Sequence, residues 1–177
     1  MDKTKYLYWL DPDDPNFEGE VVYREMYSRI GHIFHIIQMC EYNLANILSL
    51  EEYEKSKGNE FSSKDLEKLK KAIDKKFKKL YSCSFGQLKK KVAGSLYLSD
   101  MDLDALEKIV KYRNYLAHRC FKEKLMSGGL SSLDDVDHFV DELDGYEERI
   151  ADLNDWLVGV FEKNKTKEIW ERFPLCH

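Results

Sequence analysis

Within the stretch Arg113-Asn114-Tyr115-Leu116-Ala117-His118, an arginine, an amide and an imidazole stand close together in an otherwise apolar pattern. Arginine stays charged at all physiological pH values and offers a planar fork of donors that suits phosphate oxygens. Histidine, with an unperturbed pKa near ~6.5, takes or gives a proton near neutrality. Together these residue types are the parts of a phosphate-directed site.

The element that must position them is a helix. At about 100° per residue, Leu106, Ile109, Val110, Leu116, Ala117 and Cys120 form one apolar stripe, with Arg113 near its middle. A guanidinium in such a stripe must be met by a carboxylate, by carbonyls or by a phosphate in a cleft, because burying it unpaired is costly. Glu41, set among Ile37, Cys40, Leu44 and Ala45, is a candidate partner; an ion pair with an acid of the last helix, leaving His118 a plain surface residue, is the bland alternative. Asn114 and His118 are four residues apart and share a border of the stripe. Arg113 lies roughly 140° round the helix from His118. The two converge only if the arginine bends back or a second chain completes the site, a geometry that points to a dimer.

Arg113, a polar residue directly after it and His118 after a four-residue gap resemble the motif of the HEPN superfamily, small all-helical proteins of prokaryotes and higher eukaryotes. Ser84-Phe85-Gly86-Gln87-Leu88 on a short helix, followed by Lys111-Tyr112-Arg113-Asn114-Tyr115-Leu116-Ala117-His118-Arg119, extends the resemblance, which covers roughly residues 20–165. It implies a metal-independent endoribonuclease that needs no cofactor, with two motif helices facing each other across a homodimer. Arg113, Asn114 and His118 would be catalytic; Lys111, Tyr115 and Arg119 would touch the RNA. His118 would serve as general base or acid, Arg113 would stabilise charge developing on the phosphoryl oxygens, and Asn114 would hold the phosphate or orient the imidazole. The products would end in 2',3'-cyclic phosphate. A toxin or phage-defence role, restrained by a protein regulator or antitoxin, follows from the same resemblance. Where other members add a tyrosine two residues after the histidine, this chain has Cys120, so silencing by AMP attached to that tyrosine is a poor fit. The alternative is a non-catalytic module of the same type that dimerises and binds a nucleotide or a partner.

At 177 residues and 43% hydrophobic, the chain can bury one good core and is short for two domains. The net charge of -5 argues against a protein whose whole surface coats nucleic acid. The charge is unevenly spread: residues 61–124 hold 17 of the 28 lysines and arginines and 8 of the 33 acids, so this stretch is basic and the rest acidic. Cys40, Cys83, Cys120 and Cys176 have no paired spacing, hence neither a zinc motif nor a disulfide framework, and a reduced cytoplasm fits. The aromatic run Tyr6, Tyr8, Trp9 meets Asp11, Asp13 and Asp14 too soon for a signal peptide. No stretch approaches the ~18 apolar residues of a membrane span.

Pro12 and Pro15 keep residues 11–19 out of a helix, so residues 1–19 read as an extended lead, with Trp9 as its anchor. Val22, Met26, Ile30, Ile33, Ile37, Cys40, Leu44 and Leu48 step by three or four and predict a long central helix from about Glu20 to Tyr53. Ser62 and Ser63 cap a second helix through about Tyr81, with Leu66, Leu69, Ile73, Phe77 and Leu80 inward and lysines outward. Ser84 with Gln87 forms a capping box for a short third helix. Ser99 with Asp102 opens the motif helix, its first turn carrying Asp100, Asp102 and Asp104, which runs to about Lys124. Gly128 and Gly129 break the chain, and Ser131 or Ser132 caps a last helix with Leu133, Val136, Val140, Leu143, Ile150, Leu153, Leu157 and Val160 inward. The expectation is an all-α, antiparallel bundle of about five helices forming one domain over residues 20–165, with a tail at 166–177 that frays unless Trp170 and Phe173 dock.

Three further groups invite a functional reading. His32 and His35 have a spacing that metal sites use, but only Glu41 stands beside them, and core or interface histidines are the expectation. The second-helix lysines with Lys89, Lys90 and Lys91 either steer RNA or form a solvated face. Tyr112 and Tyr115 either stack on a base or fill the core.

Overall fold

A computed structural model describes residues 17–56, 63–99 and 101–164. Five α-helices follow one another, α1 (Phe17–Ser56), α2 (Ser63–Tyr81), α3 (Phe85–Val92), α4 (Leu103–His118) and α5 (Leu133–Asn164), with a π-helical segment, Phe121–Met126, between the last two. No strand occurs among the described residues. The lead at 1–16 with Trp9, Ser62, Asp100, and the tail with Trp170, Phe173 and Cys176 lie outside them.

The chain divides into two compact units. One comprises the chain through Ile36 together with Arg113–Ile150; the other comprises Ile37–Tyr112 and the chain from Ala151 on. α1, α4 and α5 each contribute to both.

In the first unit, Met26, Ile30 and Ile33 of α1, Leu116 of α4, Cys120, and Val136, Phe139, Val140, Leu143 and Ile150 of α5 are buried. α1 and α5 run in the same direction: Gly19 faces Leu133, and Arg29 reaches Asp144 and Glu147. The chain of α4 and the π-helical segment runs against α5, placing Lys124 Nζ 4.9 Å from the ring centre of Phe139. α5 starts on a capping box. Ser132 Oγ accepts the Asp135 N–H at 3.1 Å, and the Asp135 carboxylate accepts the N–H groups of Ser131 and Ser132 at 3.1 and 3.0 Å. These bonds, the Ser132 hydroxyl first and the Ser131 hydroxyl next, hold the Asp135 pKa below its ordinary value. Leu133, expected inward, is exposed at the first turn.

In the second unit, α1 runs against α2. Tyr42 meets Phe77 and Tyr81, and Leu50 packs with Leu69 and Ile73 against Tyr97 and Phe161. α3 runs against α4, with Gly86 beside Val110 and Lys89 paired with Glu107. Every residue from Leu44 to Glu51 is buried, as a helix apolar over most of its circumference must be when neighbours surround it. Asn43 Nδ2 donates to Asn154 Oδ1 at 3.0 Å, tying α1 to α5. Within this unit α1 and α2, and α3 and α4, are antiparallel pairs.

Several boundaries differ from the sequence reading, each for a local reason. α1 begins at Phe17, directly after the region governed by Pro15, so residues 17–19 are helical. The cap of α4 is Asp102, whose Oδ1 accepts the N–H groups of Asp104 and Ala105 at 2.9 and 3.0 Å, and not Ser99. α4 does not run to Lys124: it stops at His118, turns at Arg119 and resumes as a π-helix. α3 matches its expected cap, with Gln87 Oε1 accepting the Ser84 N–H at 2.9 Å.

Candidate functional site

α4 carries the motif because its apolar residues fix which way it faces. Leu106, Ile109, Val110, Tyr112 and Leu116 are buried, which turns Asn114, Ala117 and His118 to solvent. Ala117 therefore leaves the stripe assigned to it. Asn114, Ala117 and His118 form a strip at helical spacing, continued past the turn by Phe121, which is 43% exposed. Tyr27 of α1, 47% exposed, stacks on Phe121 with ring centres 5.9 Å apart and planes at 18°. An amide and an imidazole thus sit on an open strip that also shows apolar and aromatic surface.

Arg113 is half-buried at the edge of this strip. Its Nη1 donates to Asn114 Oδ1 at 3.3 Å, and its Nε is closed off from solvent without a hydrogen-bond partner among the described residues. Glu41, a candidate partner by sequence, belongs to the other unit; the arginine's hydrogen bond goes to its own neighbour. Asn114 is thereby tied to Arg113, while His118 stands free of hydrogen bonds among the described residues at the last residue of α4. Of the three, the fold joins Arg113 and Asn114 by a hydrogen bond and leaves His118 one turn further along the strip of Asn114, turned away from Arg113.

The helix break falls directly after His118. Arg119 N–H still bonds Tyr115 O at 2.9 Å and Glu123 N–H bonds Arg119 O at 2.8 Å, both at α-helical spacing, and the widened turn lies at Phe121–Met126. Gly129 explains what holds the segment: a Cβ there would come within 2.6 Å of the Glu123 carbonyl oxygen, so the following loop lies against this backbone as only glycine allows. π-helical turns inside helices are rare and cluster at functional sites.

The three residues expected to touch RNA differ in availability. Arg119 is exposed but engaged, its Nε 2.7 Å from Glu123 Oε1. Lys111, exposed on a turn of α4 in the second unit, has Nζ 3.5 Å from Glu107 Oε1. Tyr115 is half-buried, and burial first, then the neighbouring Cys120, pushes its pKa up to about 12; it is a neutral phenol and not a base at neutral pH. Burial raises the Cys120 thiol as well, so this cysteine is a poor nucleophile. Tyr112 is buried, as the core reading had it.

His32 and His35 are both exposed, not core residues. Their rings stack with centres 6.5 Å apart, and His32 Nδ1 lies 2.9 Å from Glu147 Oε1. Glu147 also meets Arg29, whose Nε is 3.0 Å from Asp144 Oδ1. Glu147 and His32 are far apart in sequence, and only the side-by-side course of α1 and α5 brings them together. Among the described residues no cluster of three or more His, Cys, Asp or Glu side chains is arranged to hold a metal ion. No helix among them is long and apolar enough to cross a membrane.

Comparison with models of known protein families, with curated proteins and with solved structures gives no match for this chain.

Proposed function

We propose that the protein is a metal-independent endoribonuclease of the HEPN type, acting as a homodimer in the cytoplasm. The observation that carries this reading is a guanidinium with donors unspent, Arg113, on the same helical segment as a solvent-facing imidazole, His118. The open strip of Ala117 and Phe121, extended by Tyr27, supports a second copy docking over the motif. Such docking brings each His118 toward the Arg113 of the partner, which one helix alone keeps on another side.

In this site, one His118 takes the proton of the ribose 2'-hydroxyl as that oxygen attacks the adjacent phosphorus. The bond from phosphorus to the 5'-oxygen breaks, and the leaving oxygen takes a proton from water, which the protonated His118 restores. Arg113 stabilises the added charge on the non-bridging oxygens, and Asn114 steadies the guanidinium from below. Products end in 2',3'-cyclic phosphate and 5'-hydroxyl. Tyr115 and Arg119 flank the strand, with Lys111 one turn earlier on α4. The biological setting we assign is a toxin or phage-defence effector held in check by a protein regulator.

The test is RNA cleavage in excess chelator by the wild type, Arg113→Ala and His118→Ala, with the product ends identified. Loss in both variants supports the reading. Equal activity in all three removes it, and a dimer that binds RNA or nucleotide without cleaving it leaves the binding module instead.

A further inference from the structure

The end of α2 carries a surface that the motif does not use. Phe77 and Tyr81, one helical turn apart, stack with ring centres 5.6 Å apart and planes at 9°. Tyr42 of α1 braces the pair edge-on, 5.6 Å from Phe77 at 79° and 5.8 Å from Tyr81 at 88°. Two rings are thereby fixed in parallel register without needing a ligand to order them. Tyr81, the outer member, remains 56% exposed. A large aromatic held rigid and left open is an uncommon use of apolar surface, since burying it would stabilise the fold.

The charge around it selects what can cover it. α2 carries eight lysines against three acids. Lys68 and Lys71 are paired within the helix to Asp65 and Glu67. Lys75, Lys78 and Lys79, in the two turns leading to Tyr81, are exposed and make no ion pair among the described residues. An unpaired cationic rim beside an exposed aromatic stack disfavours a basic or purely apolar partner and favours a polyanion that brings flat rings of its own.

We infer that Phe77, Tyr81 and Tyr42 form a stacking platform for an unpaired base of single-stranded RNA, with Lys75, Lys78 and Lys79 holding the phosphates on either side of it. A base extends the Phe77–Tyr81 stack on the open face of Tyr81, and the sugar-phosphate chain leaves along the lysines. Stacking of this kind is tolerant of base identity and needs the base out of a duplex. The platform rests on RNA being the substrate, and it assigns a preference for single strands that Arg113 and His118 do not.

The experiment uses full-length protein carrying His118→Ala, so that bound RNA stays intact, and a fluorescein-labelled single-stranded oligoribonucleotide read by anisotropy at two salt concentrations. Tyr81→Phe keeps the ring and should bind as the parent does. Tyr81→Leu keeps apolar bulk without a π-face and should weaken binding on the order of tenfold, while Lys78→Ala with Lys79→Ala should flatten the salt dependence by about two phosphate contacts. A duplex of the same sequence should bind more weakly and be indifferent to Tyr81→Leu. Equal affinity of Tyr81→Leu and parent overturns the inference, as does equal loss in Tyr81→Phe, or competition by polyglutamate as effective as that by RNA. A His118→Ala protein that still cleaves RNA refutes the catalytic reading and leaves the platform standing, so the two failures are separable.

Discussion

Replacing Ser95 with alanine should destabilise the protein by about 3 kcal/mol. Glu51 and Ser95 are 7% and 8% exposed, and three hydrogen bonds meet there. The Ser95 hydroxyl donates to Glu51 Oε1, the Leu96 N–H donates to the same oxygen at 3.0 Å, and Ser95 Oγ accepts the Leu98 N–H at 3.2 Å. This joint fixes the connection from α3 to α4 against α1, within the second unit. Ser95→Ala removes a hydrogen bond to a carboxylate, about 1.5–3 kcal/mol, and orphans the buried Leu98 N–H, about 1–3 kcal/mol. Together these come to about 2.5–6 kcal/mol, and partial relaxation brings the loss toward the low end of that range. For a chain of this size the melting temperature should fall by roughly 6–12 °C. Urea unfolding followed by circular dichroism measures it. Ser82→Ala, which loses only an exposed hydroxyl bonded to Lys79 O at 2.9 Å, is the control and should stay within about 0.5 kcal/mol of wild type. If Ser95→Ala also stays within that margin, the joint does not contribute as argued. A double-mutant cycle with Glu51→Gln should show coupling between the two sites.

The cap of α5 gives a pH signature. The folded-state pKa of Asp135 is depressed by its Ser132 and Ser131 hydrogen bonds, so its contribution is complete above the unfolded value of about 3.9 and is lost as pH falls through the lower folded value. Asp135→Asn should therefore be less stable than wild type at pH 7, with the difference shrinking in acid melts below about pH 4; a gap unchanged down to pH 2 contradicts the assignment. The glycines of the loop should rank by what a methyl group meets. Gly129→Ala drives its Cβ into the Glu123 and Lys124 backbone and should cost on the order of 1–3 kcal/mol. Gly128→Ala meets no atom within 4 Å but sits at a φ of 77° and should cost about 1 kcal/mol. Gly94→Ala has open space and an ordinary φ and should be near neutral; thermal melts that reverse this order refute it.

What could be read in the sequence is what local chemistry dictates. The three-and-four spacing of Met26, Ile30, Ile33, Ile37 and Leu44 traced the course of α1, the pair Ser84/Gln87 marked the start of α3, and Ser131 or Ser132 the start of α5, where Ser132 with Asp135 forms the cap. The π-helical turn after His118 was not legible, because Arg119, Phe121, Lys122, Glu123 and Lys124 all tolerate an α-helix. Tertiary contacts, Phe121 on Tyr27 and the close approach of Gly129, accompany the widened backbone instead. Ser99 with Asp102 in the first turn was the expected opening of the motif helix, and Asp102 itself, directly before the helix, takes the capping role. His32 stood out beside His35, but its pairing was not legible for the opposite reason: Glu147 is distant in sequence, and no local pattern announces a contact between the first and last helices. In the candidate site, the types Arg113, Asn114 and His118 were visible, whereas the hydrogen bond from Arg113 to Asn114 and the open strip through Ala117 to Phe121 required coordinates. Glu51 carried a usable signal that went unread, a carboxylate ending the apolar run from Leu44.

The central claim is that Arg113 and His118 of two copies act together on a phosphodiester. Its most direct measurement mixes two inactive variants, Arg113→Ala and His118→Ala, in excess chelator with single-stranded RNA, and analyses the product ends. If each composite site needs Arg113 from one copy and His118 from the other, the mixed dimers regain part of the wild-type activity and yield 2',3'-cyclic phosphate. Full wild-type cleavage by either variant alone, or no cleavage by the wild-type dimer itself, contradicts the account.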